Sequence, residues 1–487
     1  NIQALASWLY GSDPFMHLKY DKLMRKIKRK AGQGYFECLI KKHLLNNRHQ
    51  SIMLAVPKID LAKKQDAKVR KRLKALKASL PVEEIDQLVE RTQMLRSLQI
   101  TPDPPENLDK LPSLGLEDIK RESERFPLEV KQETAPKILY HDLFTNKIAY
   151  VQVGFDAAGV PLDKLQYLPL LGRMVLGMGT RKHSYVEISQ MLGIHTGGVR
   201  PWNFTSATVS DHRQILSYLF FSGKALVEKV DDLFDILEEL IGEYEFNNPT
   251  RLVEIIRSAK ADMEDSILSS GNHYVLSRLH SYQSSLGRYN ELIEGISFYK
   301  FLENLLVCAE RDPDQVAESF REVAQTVFTC KNTLANVTVS EKDYPKIERR
   351  INGMTRVLSD HPPQSAPLDF QSGPANEAFL TASAVQFVGK GANLYELGLE
   401  YSGKFDALNS VLRTCYLWDR VRVQGGAYGS QSTFDSFSGN YGLVSYRDPN
   451  LNETLDVYDQ IAGYLENLDL SDKELTKILI GCVGHLD

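Results

Sequence analysis

Along KIAYVQVGFDAAG apolar and polar residues alternate, and Ala149, Val151, Val153 and Phe155 fall on one face, which predicts a strand. The run LQYLPLLGRMVLGMG then changes to a helical period. GKALVEKVDDLFDILEELIGEY predicts a long amphipathic helix, two further helical stretches cover about 249–311, and TLANVTVS predicts another strand. A second series opens after the proline-rich SDHPPQSAP. FLTASAVQFVGKG reads as a strand. Residues 405–421 read as a helix with Leu408, Val411, Leu412, Cys415 and Trp418 at helical spacing. An extended segment from Tyr428 reverses at Ser438-Gly439-Asn440 and returns along YGLVSY, before a helix from about Glu453 to Leu468. Both series run strand, helix, strands, helix, the order of a duplicated α+β module. The final helical run opens with a capping box, Ser471 and Glu474.

The amino-terminal part has a different texture. Residues 1–58 mix helical stretches with the apolar run SIMLAVP, read as a strand. Leu61 to Ser79 form a strongly basic helical run. Pro81, Glu83 and Glu84 suit the first turn of a second helix, so the two predict a helical hairpin. The basic run reads as a solvated helix face. Phosphate binding is the sharper alternative, and the lack of interleaved aromatic residues weakens it. TPDPPENLDKLPSLGLED is a linker by composition.

Composition narrows the class. The 487 residues suit roughly three domains, and a net charge of -5 argues against a chain-wide nucleic-acid or membrane footprint. No apolar run reaches the roughly 18 residues of a membrane helix. Five scattered cysteines without a C-x-x-C pair indicate neither a disulfide framework nor a structural zinc site, which suits a reducing compartment: the cytoplasm, or an organellar matrix where a transit peptide directs the parent there. The first residue is Asn1, and the chain reads as a piece of a longer polypeptide.

One stretch carries candidate chemistry. In DRVRVQGGAYG, Arg422 is placed in the last turn of a helix that ends at Gly425, and Gly425 and Gly426 permit a sharp reversal. Fully extended, residues 422 to 428 would separate their α-carbons by roughly 20 Å. A helix end plus a glycine turn instead directs Arg422 and Tyr428 toward one point. Two such donors suit a carbonyl oxygen or a developing oxyanion. The plainer reading is a helix–turn–hairpin whose arginine pairs with a carboxylate and whose tyrosine packs on a sheet. A nucleotide loop fits poorly, because the G-G-x-x-G lacks G-K-[ST] and follows a helix.

RVQGGAYG, followed by GNYGLVSYRDPNLNETLDVYDQ, resembles the carboxyl-terminal half of presequence-protease-like members of the pitrilysin/insulinase (inverzincin) metallopeptidases. WLYGSDPFMHLKY, YHDLFTNKIAYVQVGFD, HTGGVRPWNFTS and GISFYKFLENL agree in order, so the resemblance spans essentially the whole chain. It implies two α+β modules of antiparallel sheet and helices, preceded by a helical hairpin linker. Residues 1–58 would be the tail of a preceding domain, 59–124 the hairpin and linker, 125–345 a third family domain and 346–487 a truncated fourth. It further implies a closed chamber for short unstructured peptides, zinc held by the amino-terminal half of the same polypeptide, and Arg422 and Tyr428 directed at the bound peptide, with Gly425 and Gly426 shaping their turn. The resemblance implies a zinc site built from H-x-x-E-H plus a downstream glutamate. Here Pro169, Gly172 and Arg173 stand at the comparable positions, so no metal ligands are assigned in this chain. His273 and His280, near Glu264, are a weaker metal candidate against the commoner exposed or capping histidines. Cys415 with His485 is a weaker nucleophile pair still. The expected function is the substrate-binding half of a zinc endopeptidase, inactive by itself. The alternative is a non-catalytic subunit or interaction scaffold of the same fold.

Overall fold

The computed structural model describes residues 2–484 apart from 102, 109, 121, 123, 132–135, 361–372, 374–375 and 382. The SDHPPQSAP linker and His485 therefore fall largely or wholly outside the described residues. The chain divides into two compact units, Asn1–Leu111 and Pro112–Asp487.

In the first unit the hairpin helices span Leu61–Ser79 and Val82–Ile100, with Pro81 at the N-cap of the second. Every residue from 61 to 79 is exposed, as a solvated basic helix requires. SIMLAVP is not a strand. No segment pairs with it among the described residues, and Ile52, Met53, Leu54 and Val56 face solvent. An apolar run alone does not make a strand, because its backbone groups need a ladder partner.

The second unit contains two sheets. Strands β1 (Glu129–Lys131), β2 (Lys137–Asp142), β3 (Ile148–Asp156), β4 (Val199–Ala207), β5 (Ile215–Leu226) and β6 (Thr333–Val339) form one, in the order β1-β2-β6-β3-β5-β4. All its pairings are antiparallel except β2 with β6. Strands β7 (Gly389–Asn393), β8 (Gly429–Phe434) and β9 (Asn440–Tyr446) form an antiparallel sheet in the order β7-β9-β8. The architecture is thus α+β. Ala149, Val151, Val153 and Phe155 are all fully buried, and the helices Leu168–Met178 and Val230–Gly242 close over that face.

Three expected boundaries move. Gly223–Leu226 extend β5 rather than start the following helix, because all four pair with β3, and Gly223 also with β4. The region 249–311 holds four helices, Pro249–Ser269, Gly271–His280, Ser285–Glu294 and Ile296–Arg311, divided by Ser270, Ser284 and Gly295. Of FLTASAVQFVGKG only the last three residues enter a strand, β7.

The helix Gly271–His280 packs on the small sheet. It lies on a face of the small sheet that carries glycine: a β-carbon at Gly389 would meet Val275 at 2.4 Å, and one at Gly442 would meet Leu276 at 2.5 Å. Polar bonds fix both ends of the contact. Asn440 Nδ2 donates to Ser284 Oγ at 2.8 Å, and the Tyr446 hydroxyl donates to the Ser269 carbonyl at 2.9 Å. His280 is neither exposed nor a cap. Its Nε2 is enclosed beneath the sheet without a hydrogen-bond partner among the described residues, and burial pushes the imidazole down to about 4.

That burial has a signed consequence. The folded chain keeps His280 neutral, whereas the unfolded chain takes up a proton near pH 6.5. Stability from this group is complete above pH 6.5 and is lost as pH falls toward 4. Urea unfolding of the chain therefore weakens over that interval, and His280→Gln flattens the dependence. Equal slopes in the two proteins would show that His280 is not the titrating group.

Candidate functional site

The segment read as one α-helix changes type partway. An α-helix spans Lys404–Val411, and a π-helix continues it over Leu412–Gln424. Bonds from i to i+5 widen the turn beyond the α-helix's 3.6 or so residues. The buried side chains follow the wider turn: Leu412, Tyr416, Leu417 and Val421 pack with Val388, Ala427, Leu443 and Tyr458. An α-helical period would have buried Cys415 and Trp418. Both are exposed, and Trp418 retains 50% of its accessible surface.

The π-helix closes in a tight reversal. Gly425 N donates to the Arg420 carbonyl at 3.1 Å, Gly426 N to Arg422 at 3.0 Å and Ala427 N to Val421 at 3.1 Å. A β-carbon on Gly425 would stand 2.6 Å from the Val421 carbonyl oxygen, so that position admits no side chain. Gly426 has φ +79°, the left-handed region. Asn450, from the loop after β9, donates its amide to the Gly425 carbonyl. Asp448, fully buried, anchors that loop by accepting from Asn450 N and Thr454 Oγ1. Tyr428 N then bonds the Tyr446 carbonyl at 3.0 Å and leads into β8.

The reversal brings the two predicted donors together. The Arg422 guanidinium carbon lies 5.8 Å from the centre of the Tyr428 ring. Tyr428 is 67% exposed and rests edge-on against Tyr446. Arg422 makes no ion pair among the described residues. It stacks on Trp418, 3.9 Å from the ring centre. The nearest acid on the same helix, Asp419, accepts from Gln424. The carboxylate pairing of the plainer reading is absent among the described residues, whereas Tyr428 does rest on the sheet, through Tyr446 of β9, and stays exposed there. Sequence reasoning missed Trp418, assigned to a core face, and Asn450; the hint for Asn450 was an Asx residue beside a proline opposite the glycine pair.

The place comparable to a zinc motif does not fit the metal. Pro169 and Gly172 have no donor side chain, and Arg173 is a cation that bonds Asp262 at 2.9 Å. A β-carbon on Gly172 would strike Pro201 at 2.5 Å, so helix and strand lie too close there for a ligand side chain. A cleft of about 510 Å³ beside it is lined by Pro169, Arg173, Asn203 and Glu294, and neither Arg422 nor Tyr428 borders it. Among the described residues no group of three His, Cys, Asp or Glu side chains could hold a metal ion. Glu264 bonds Lys260 and Tyr299, so it is not held toward His273 or His280. Cys415 is a free, exposed thiol. No helix of the described residues is long and apolar enough to cross a membrane.

Comparison with known proteins follows this geometry. The family described as Peptidase M16C associated matches residues 56–305, and the PreP C-terminal domain matches residues 376–487. Protein HypA of Clostridium perfringens is 33% identical over 486 residues, covering 100% of this chain and 50% of that protein. Presequence protease 1, chloroplastic/mitochondrial, of Arabidopsis thaliana is 32% identical over 491 residues, covering 100% of this chain and 45% of that protein. The chain thus spans about half the length of these relatives. Among solved structures, a conserved protein from Enterococcus faecalis superposes with a TM-score of 0.55 at 13% identity, covering 74% of this chain and 84% of that one. The peptidase M16 inactive domain from Pseudomonas fluorescens gives 0.50 at 16% identity, covering 74% and 86%. These structures establish the fold.

The reversal's geometry ranks its substitutions. Gly426→Ala meets only an ordinary contact with Pro449 at 3.8 Å and costs the left-handed backbone, roughly 1–2 kcal/mol. Gly425→Ala, whose backbone is right-handed, instead clashes with Val421 O at 2.6 Å and lowers the melting temperature more. Thermal unfolding of the two variants checks the order.

Proposed function

Because the chain belongs to the peptidase M16C-associated family, we propose that it is the substrate-binding carboxyl-terminal half of a zinc metalloendopeptidase that degrades short unstructured peptides, such as targeting peptides, in a closed chamber. Zinc and its general base come from the amino-terminal half of the same polypeptide. This half contributes a wall of the chamber and two donors, Arg422 and Tyr428. The enzyme works in the cytoplasm, or in an organellar matrix; relatives carry the names chloroplastic/mitochondrial and mitochondrial.

The observation that carries the reading is the pairing of an arginine free of carboxylates with an exposed tyrosine at one glycine reversal. A guanidinium and a phenol are donors at neutral pH, and together they suit a peptide carbonyl whose oxygen gains charge as a tetrahedral intermediate forms. A scaffold has no use for that combination on its surface. The fold leaves the reversal little freedom, so the donors are held before the peptide arrives, which lowers the cost of organising them at the reaction.

In the full-length parent, Tyr428→Phe and Arg422→Ala each lower turnover by roughly 10²–10³ while melting temperature changes little. Wild-type turnover in the double variant would remove these residues from the site. The chain alone, dialysed and assayed with a fluorogenic peptide, retains no stoichiometric zinc and cleaves nothing. Chelator abolishes cleavage by the full-length parent. Chelator-sensitive cleavage by the isolated chain would refute the division of labour, and a full-length parent without peptidase activity would favour the scaffold.

A further inference from the structure

Trp418 is out of place for a bulky apolar residue. Half of its surface is exposed, although its neighbours Tyr416 and Leu417 enter the core. The wider turn of the π-helix turns it outward, four residues before Arg422 on the same helix. The guanidinium lies over its ring at 3.9 Å, a cation–π contact at close range. The Tyr428 ring is the second aromatic face near the same cation, at 5.8 Å.

The manner of holding matters for an arginine that must donate. A carboxylate partner engages the N–H groups of the guanidinium edge, commonly two at once. An aromatic ring engages its face and leaves the edge donors available. Asp419 is close in sequence, yet it accepts from Gln424 and makes no ion pair with Arg422. The long arginine side chain would otherwise sample many rotamers, and each would carry the donors away from Tyr428.

We propose that Trp418 is a positioning residue, which holds the face of the Arg422 guanidinium so that its edge donors point at the peptide carbonyl beside Tyr428. This rests on the function proposed above and adds a residue that acts through Arg422. The contact is made before substrate binds, so its loss falls mainly on kcat and leaves KM little changed.

The test is a double-mutant cycle in the full-length parent, with kcat and KM measured on one fluorogenic peptide. Trp418→Leu keeps apolar bulk without a π face and is expected to lower kcat roughly tenfold. Trp418→Phe, with a smaller face, retains most of the activity. Because the side chain is half exposed, both variants fold, which thermal unfolding verifies. In an Arg422→Ala background, Trp418→Leu has no further effect. A loss of equal size with Arg422 absent would overturn the proposal, as would wild-type kcat in Trp418→Leu, or loss of activity in Trp418→Phe as deep as in Trp418→Leu. In each of those cases a defective Arg422→Ala still upholds the parent reading. Normal turnover in Arg422→Ala would overturn both.

Discussion

The site depends on one change of helical register. After Leu412 the backbone passes from α to π, and the core side chains follow at steps of four, one and four. A rare helix type placed beside a candidate site is a common association. Here its effect can be followed residue by residue. It turns Tyr416, Leu417 and Val421 inward, sets Trp418 outward under Arg422, and brings the helix end to Gly425. An α-helix over the same residues would bury a different set and aim Arg422 elsewhere. The stretch is held in this form by the packing of its inner side chains on β9 and on the helix Asn452–Asp459.

Much of the fold was legible from periodicity. The alternation in β3 identified four of its buried residues, and the hairpin helices fell where the basic run and Pro81 put them. Legibility failed where a partner decides the outcome. SIMLAVP has strand composition and no strand beside it. Residues 249–311 read as two helical stretches, and the further breaks fall at Ser270, Ser284 and Gly295, where a serine cap or a glycine rather than a proline divides the helices. Helical spacing placed Cys415 and Trp418 in the core, because an α period was assumed where the chain takes a wider one.

The candidate site was legible in its geometry and illegible in its support. A glycine pair between a cation and a phenol implies a reversal that brings them near each other, and the structure has it. The groups that hold the reversal, Asn450 on the Gly425 carbonyl and Asp448 beneath its loop, lie more than twenty residues onward and meet it only through the β8–β9 hairpin. The roles of Pro169, Gly172 and Arg173 show the converse. Their side chains alone rule out zinc ligation, and the close packing of Gly172 on Pro201 extends that from the residues to the backbone.

The contact between the helix Gly271–His280 and the small sheet has a mechanical side. Ordinary packing interlocks side chains as teeth, which resist sliding in every direction. A face of bare backbone at Gly389 and Gly442 brings the helix close and offers few teeth. Resistance to shear along the helix therefore falls on the hydrogen bonds at its ends, Tyr446 to Ser269 and Asn440 to Ser284. Tyr446 is also the ring on which Tyr428 rests. One residue thus serves as the bolt of the joint and the backing of a donor, so any glide of the small sheet would be transmitted to the tyrosine that faces solvent.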